Sequence, residues 1–310
     1  MPIPYSLHRR VPLVRRPFYQ RDVAIAERDS ARNERDAARR ERDDLRRRLD
    51  AAEALLAKGG DRMDPAPSYR AMLAQADVPK RSSVAAAPQR YVVNHHVYVE
   101  RGGRCRAEDL EGFLRDNPQQ ALDLGRFYFF CLALDLIDKD HIPGDFVELG
   151  VAKGNTASVL AKGAQRLQRQ VYLLDTYEGF SRQDLVGVDA VHDVHYADAS
   201  LDYVQRHVTG AHVHFVRGYF PDTATQLPDD ARYAFVHLDC DLYKPFSAAL
   251  AYFWPRLSER GFLVMHDYHS LYWDGVEQAV DEFFAERGEC IVPIPDMSGT
   301  VVVRKSKRLS

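Results

Sequence analysis

The stretch Phe146-Val-Glu-Leu-Gly150-Val-Ala-Lys-Gly154, followed at once by Asn155-Thr-Ala-Ser-Val-Leu160, decides the reading of this 310-residue chain. Pro143-Gly144 breaks the chain just before it, and Phe146, Val147 and Leu149 make the short apolar run of a buried strand. Asn155 onward has helical composition, so the stretch predicts a strand, a glycine turn and a helix start. Gly150 and Gly154 let the backbone approach a ligand, and the free amides of the helix start face whatever lies in the turn. The spacing Glu148-x-Gly150-x-x-x-Gly154 is not the G-x-G-x-x-G of dinucleotide sites. A second apolar strand, Val171 to Leu174, ends in Asp175, where a carboxylate can accept both hydroxyls of a ribose. Turn and acid together predict a nucleoside site.

Downstream, apolar segments alternate with helical ones: His212 to Val216, Tyr233 to Leu238, Phe262 to Met265, and a closing pair near Ile291 and Thr300 to Val303. This alternation predicts an α/β fold with a mainly parallel, doubly wound sheet and ligands at the carboxyl ends of its strands. Acids collect at those ends. If the strand ending in Leu238-Asp-Cys-Asp241 neighbours the one ending in Met265-His-Asp267, then Asp239, Asp241, His266 and Asp267 converge. Hard ligands in an open cluster suit magnesium or manganese, and a divalent ion there would acidify a substrate hydroxyl and hold the alkoxide for attack. His237 reads as a strand-face residue. Tyr177, Arg182, Tyr243, Tyr268 and Trp273 are candidates for a sugar-binding surface.

With 45% hydrophobic and 28% charged residues the chain can bury one full core and carry an appendage. A formal net charge of −3 argues against a dedicated nucleic-acid binder, which needs a basic excess. Cys105, Cys131, Cys240 and Cys290 form no C-x-x-C pair, which points to a reducing cytoplasm rather than a zinc site or disulfide framework. No apolar run is long enough for a transmembrane segment, although peripheral membrane attachment stays open.

Residues 1–20 read as a disordered arm. Over 21–58 the chain has no Gly or Pro, and Glu-Arg-Asp recurs at Glu27, Glu34 and Glu41, a heptad spacing. Ala24, Ala31, Ala38, Leu45 and Ala52 share one stripe, which predicts a charged helix, either single and solvated or forming a coiled coil as a homodimer or with a partner. Residues 59–90 read as a linker, and 91–310 as the catalytic domain, with a helical lid or layer over 105–140 and a core over 142–305. Tyr91 to Val99 reads as an arm or short strand, whose adjacent His95 and His96 would point to opposite faces.

Several motifs in one order carry a family resemblance: Glu148-Leu-Gly-Val-Ala-Lys-Gly154, Asp175-Thr-Tyr-Glu-Gly179, Arg217-Gly-Tyr-Phe-Pro-Asp-Thr223, Leu238-Asp-Cys-Asp-Leu-Tyr243, Gly261-Phe-Leu-Val-Met-His-Asp-Tyr268 and Gly275-Val-Glu-Gln-Ala-Val-Asp-Glu-Phe283. Over about Ile142 to Lys305 the chain resembles the macrocin-type O-methyltransferases of the class I methyltransferase superfamily, which methylate sugar hydroxyls in macrolide and aminocoumarin pathways. The resemblance implies a Rossmann-like class I fold, S-adenosylmethionine as methyl donor and a divalent metal, commonly magnesium. Glu148, Gly150 and Gly154 would line the methionine and ribose side of the cofactor, Asp175 would take the ribose hydroxyls, and Gly218, Tyr219 and Phe220 would approach the adenine. Asp239 and Asp267 would be metal ligands, with Asp241 a further ligand or the general base. The family usually has two acids where this chain has His266-Asp267; a neutral imidazole there favours manganese or another transition metal.

The acceptor is then a sugar-containing small molecule or glycan, and the N-terminal helix favours surface-glycan assembly over a free antibiotic. Two other readings remain at this level. A nucleotide-sugar glycosyltransferase would hold manganese and a diphosphate on Asp239 and Asp241, and a coiled-coil adaptor would merely bind a nucleoside.

Overall fold

The structure is a computed structural model that describes residues 87–92, 94–115, 123–193, 196 and 200–307. The arm over 1–20, the coiled coil over 21–58 and its dimer, and all but the end of the 59–90 linker lie outside the described residues.

Seven strands form one sheet in the order β3-β2-β1-β4-β5-β7-β6. They are β1 (Asp145–Leu149), β2 (Val171–Asp175), β3 (Val213–Arg217), β4 (Tyr233–Leu238), β5 (Leu257–Met265), β6 (Val292–Pro293) and β7 (Val301–Arg304). β1 to β5 pair in parallel, and β7 runs antiparallel to both of its neighbours, β5 and β6. Parallel strands need both faces covered, and β4 shows the result: all six residues of Tyr-Ala-Phe-Val-His-Leu are buried.

The two-residue period sorts the side chains into two cores. Phe146, Leu173, Phe235 and Val264 face one side; Val147, Leu174, Val236 and Leu263 face the other. The first core is closed by residues of α1 (His95–Glu100), α2 (Ala107–Leu114), α3 (Leu124–Lys139), α4 (Asn155–Leu167) and α5 (Leu201–His207). The second is closed by α6 (Tyr243–Arg256) and α7 (Asp274–Phe284), through Phe246, Leu250 and Phe253 and through Val276, Val280 and Phe284. The strand order and the two helical layers agree with the expected methyltransferase α/β architecture. Among the described residues no helix is long and apolar enough to cross a membrane.

Two expectations need correction. Tyr91 to Val99 is neither an arm nor a strand but a 3-10 turn at Gln89–Tyr91 followed by α1. The helix is set by tertiary contacts, because the buried hydroxyls of Tyr91 and Tyr98 donate to Asp135 of α3 at 2.9 and 2.7 Å. His95 and His96 therefore lie on successive helical positions, with His95 beside the Cys105 carbonyl at 3.3 Å and His96 exposed. β5 begins at Leu257, five residues before the expected Phe262, because Leu257 pairs with Tyr233 of β4 and the polar Ser258-Glu-Arg-Gly261 run bulges out before the ladder resumes at Phe262 opposite Phe235. Among the described residues of 105–140, α2 and α3 pack into the first core through Leu110, Phe113, Phe127 and Phe130.

Phe235 sits between the rings of Phe130 at 5.0 Å and Phe146 at 6.2 Å with no exposed surface. Phe235→Ala should cost about 3–5 kcal/mol of stability, read as a lowered urea midpoint at unchanged slope.

Candidate active site

A cleft of ≈ 870 Å³ opens at the carboxyl edge of β1, β2, β4 and β5. On one side lies the turn between β1 and α4. Gly150 and Gly154 have φ of +90° and +81°, and Ala152, at +46°, is a non-glycine residue held in the same left-handed region. A Cβ on Gly150 would stand 1.9 Å from the Asp239 carbonyl oxygen, so this glycine is required by close packing against the end of β4. Asp175 braces the turn: one carboxylate oxygen accepts the amides of Val151 (2.7 Å) and Ala152 (2.9 Å), and the other accepts that of Tyr177 (2.7 Å).

Asp175, Gly150, Gly218, Tyr219 and Phe220, the candidate cofactor-binding residues, all line the cleft. Gly218 donates its amide to the Asp175 carbonyl at 2.9 Å, and the Tyr219 hydroxyl donates to Asp184 at 2.8 Å. Two expected residues lie outside the lining. Gly154 caps α4 against Val204. Glu148 is fully buried below the cleft floor, where one oxygen accepts the Thr156 hydroxyl and His237 Nδ1, the latter at 2.9 Å. Glu148 and His237 are register partners on β1 and β4, so the acid organises the sheet edge from beneath.

Across the cleft the structure brings together Asp239, Asp241, His266 and Asp267, because β4 and β5 are neighbours. Asp241 and Asp267 take φ of +60° and +63°, backbone strain of about 1–3 kcal/mol each, of a kind that gathers at functional sites. His266 Nδ1 lies 2.8 Å from an oxygen of Asp239 and 2.8 Å from one of Asp267. The other Asp239 oxygen is 2.9 Å from Arg126 Nη1, and Arg126 Nε is 2.6 Å from Asp123. Arg126 and Asp123, only 4% and 1% exposed, come from the start of α3, where the sequence predicts a helical lid or layer and no site residue. The available signal was an arginine set in an otherwise apolar helical run.

These contacts divide the acids. Burial opposes ionisation of Asp239, but the charge and hydrogen bond of His266 and the charge of Arg126 hold its carboxyl well below the usual range. Asp241 is driven the other way, by burial first and then by the like charges of Asp267 and Asp239. Burial and Arg126 disfavour the imidazolium of His266, yet Asp239 and Asp267 outweigh them and its pKa is pushed up to about 10.

The expected metal ligands Asp239, His266 and Asp267 offer donor atoms within 4.8 Å of one another. The set does not fit a divalent ion well. Both oxygens of Asp239 are engaged, His266 Nδ1 is shared between two carboxylates, and a permanent guanidinium charge adjoins the same aspartate. A metal would have to displace the imidazole proton and sit beside Arg126. The expected magnesium or manganese therefore meets a site whose positive charge is already in place.

Of the candidate sugar-binding residues, Trp273 lines the cleft, together with Phe180 and Tyr196, whose rings are each 5.5 Å from a neighbour in the set. Tyr177 and Tyr268 are buried, while Tyr243 and Tyr268 donate their hydroxyls to Glu282 (2.6 Å) and Asp281 (2.5 Å) of α7. Arg182 is exposed outside the lining.

Because the folded-state pKa of His266 is raised from 6.5 to about 10, its contribution to stability is complete below 6.5 and is lost as pH rises towards 10. Ring-nitrogen NMR at about pH 8 should find a protonated imidazolium, and a neutral ring would contradict the charge arrangement.

Comparison with known proteins agrees with this geometry. The profile of the family described as Macrocin-O-methyltransferase (TylF) matches residues 91–303. The chain is 30% identical over 206 residues to the 8-demethyl-8-(2,3-dimethoxy-alpha-L-rhamnosyl)-tetracenomycin-C 4'-O-methyltransferase of Streptomyces olivaceus, covering 61% of this chain and 77% of that protein. It is 31% identical over 147 residues to the Mycinamicin III 3''-O-methyltransferase of Micromonospora griseorubida, covering 42% of this chain and 57% of the relative. The solved O-methyltransferase NovP shares the fold with a TM-score of 0.52 at 21% identity, covering 59% of this chain and 81% of its own. With the family profile matched from the first core helices to the last strand, this chain belongs to the macrocin O-methyltransferase family.

Proposed function

We propose that the chain transfers a methyl group from S-adenosylmethionine to a hydroxyl of a sugar or glycoside. The observation that carries this reading is that one cleft joins a glycine turn, braced by a strand-end acid, to a buried cluster of acids with divided proton affinities. When bound, the donor supplies an electrophilic methyl carbon on a sulfonium. The remaining work falls to the chain: to hold the donor, orient the acceptor oxygen and take its proton.

Three features support a cationic nucleoside over a nucleoside diphosphate. The amides of Val151 and Ala152, which a pyrophosphate would need, are committed to Asp175. The opposite wall carries Asp239, Asp241 and Asp267, which would repel a diphosphate. Asp175 Oδ1 keeps a lone pair beyond its bond to Tyr177, enough to accept a ribose hydroxyl. The same features weaken the glycosyltransferase reading. An adaptor that merely binds a nucleoside has no use for the organised acid cluster.

Asp241 is the base in this proposal. It lines the cleft, and burial together with the like charges of Asp267 and Asp239 raises its affinity for a proton, so in its ionised form it can take the proton from the hydroxyl as the oxygen attacks. Asp239, held ionised by Arg126 and His266, is a fixed anion that positions those two cations. Phe180, Tyr196 and Trp273 give an aromatic wall for the C–H face of a pyranose. The rhamnosyl compound named for the Streptomyces relative supports a sugar hydroxyl as acceptor.

Calorimetric titration with S-adenosylmethionine should show binding that Asp175→Ala loses, while a nucleoside diphosphate with manganese gives none. Binding of the diphosphate alone would reverse the assignment. Asp241→Asn should keep donor binding and lower methyl transfer by about 10²–10⁴-fold, the range for loss of a general base. Unchanged transfer would remove Asp241 from that role.

A further inference from the structure

Arg126 is nearly fully buried and yet lines the cleft. A guanidinium cannot be deprotonated in a protein, and burying one requires compensating charge. Here the compensation comes from two different elements: Asp123, immediately before α3, lies 2.6 Å from Nε, and Asp239, at the end of β4, lies 2.9 Å from Nη1. Each oxygen of Asp239 thereby has a cationic partner, since the second meets His266 at 2.8 Å. His266 also has Asp123 and Asp296 within 4.8 Å on a second approach. The result is an organic cation set among carboxylates beside the candidate metal ligands Asp239, His266 and Asp267.

We propose that Arg126, not a divalent ion, supplies the positive charge that faces the acceptor oxygen during methyl transfer. This rests on the methyltransferase reading above and adds a catalytic residue to it. As the oxygen–carbon bond forms, the carbon–sulfur pair remains on sulfur and the hydroxyl proton passes to Asp241. Negative charge that develops on the oxygen in that step lies beside a guanidinium already fixed by two aspartates, so no reorganisation is needed to stabilise it. Arg126 cannot itself act as the base, which separates its role from that of Asp241.

The test uses the full-length protein and manganese as the probe. Wild-type protein, freed of metal by chelation and dialysis, should retain no manganese on titration followed by electron paramagnetic resonance. Arg126→Met, which releases one oxygen of Asp239, should gain manganese binding, and so should His266→Asp. Methyl transfer from labelled donor to a panel of simple rhamnosides should persist in excess EDTA, and Arg126→Met should lower it by about 10²-fold or more while donor binding holds. Stoichiometric manganese binding by the wild type, or turnover that falls in EDTA and returns with magnesium, would overturn the proposal even if the variants fail to fold. Donor titration separates the two levels: donor binding together with manganese binding overturns only the role of Arg126, and absence of donor binding overturns the underlying reading.

Discussion

Gly150 lies against the carbonyl of Asp239 with no space for a methyl group, and this contact joins the two halves of the cleft. One half, the turn after β1, is shaped to meet a cofactor. The other, the end of β4, begins the acid cluster. Because β1 and β4 are paired in parallel through Leu149 and Leu238, the distance between the halves is fixed by backbone hydrogen bonds instead of by mobile side chains. Below them, Glu148 and His237 form a buried polar pair across the same two strands, with the Thr156 hydroxyl from α4 on the same oxygen. A site that must align two reactants gains from such a base, since small misplacements of reacting atoms are costly.

Charge is the second organising element. The buried cluster contains more acids than bases, and the structure resolves this by placing Arg126 and His266 where each serves two carboxylates. Asp239 is kept ionised and Asp241 is driven towards protonation, so two acids separated by one residue acquire different chemical behaviour. The left-handed backbone at Asp241 and Asp267 belongs to the same arrangement, because it turns the chain sharply just past the strand ends.

Much of this was legible in the sequence for a physical reason. The strands of a doubly covered sheet are apolar runs, and their ends are marked by the change to polar residues, so β1, β2 and β4 and the acids that follow them stand out. The convergence of Asp239 and His266 followed from one assumption, that consecutive strands are neighbours. What escaped notice came from elements whose role depends on long-range contacts. Arg126 and Asp123 are more than a hundred residues from Asp239, and nothing local distinguishes a helix that covers a sheet from one that also supplies a charge to its edge. The short helix at His95–Glu100 was missed likewise, since it depends on tyrosine hydroxyls reaching Asp135. Glu148, which the family resemblance sets beside the cofactor, is fully buried, because strand alternation puts it on the same face of β1 as Phe146.

The double engagement of Arg126 also bears on how such a site can change over evolutionary time. Neutralising Arg126 alone strands Asp123 and Asp239 in a buried environment, and replacing either aspartate alone leaves an unbalanced guanidinium, so each single step is disfavoured. The identities at 123, 126, 239 and 266 are therefore coupled in their effects on fitness, and their substitutions are expected to be non-additive. A lineage passing between an organic and an inorganic cation at this position must cross that barrier through paired changes, with the order of the two steps deciding which intermediates still fold.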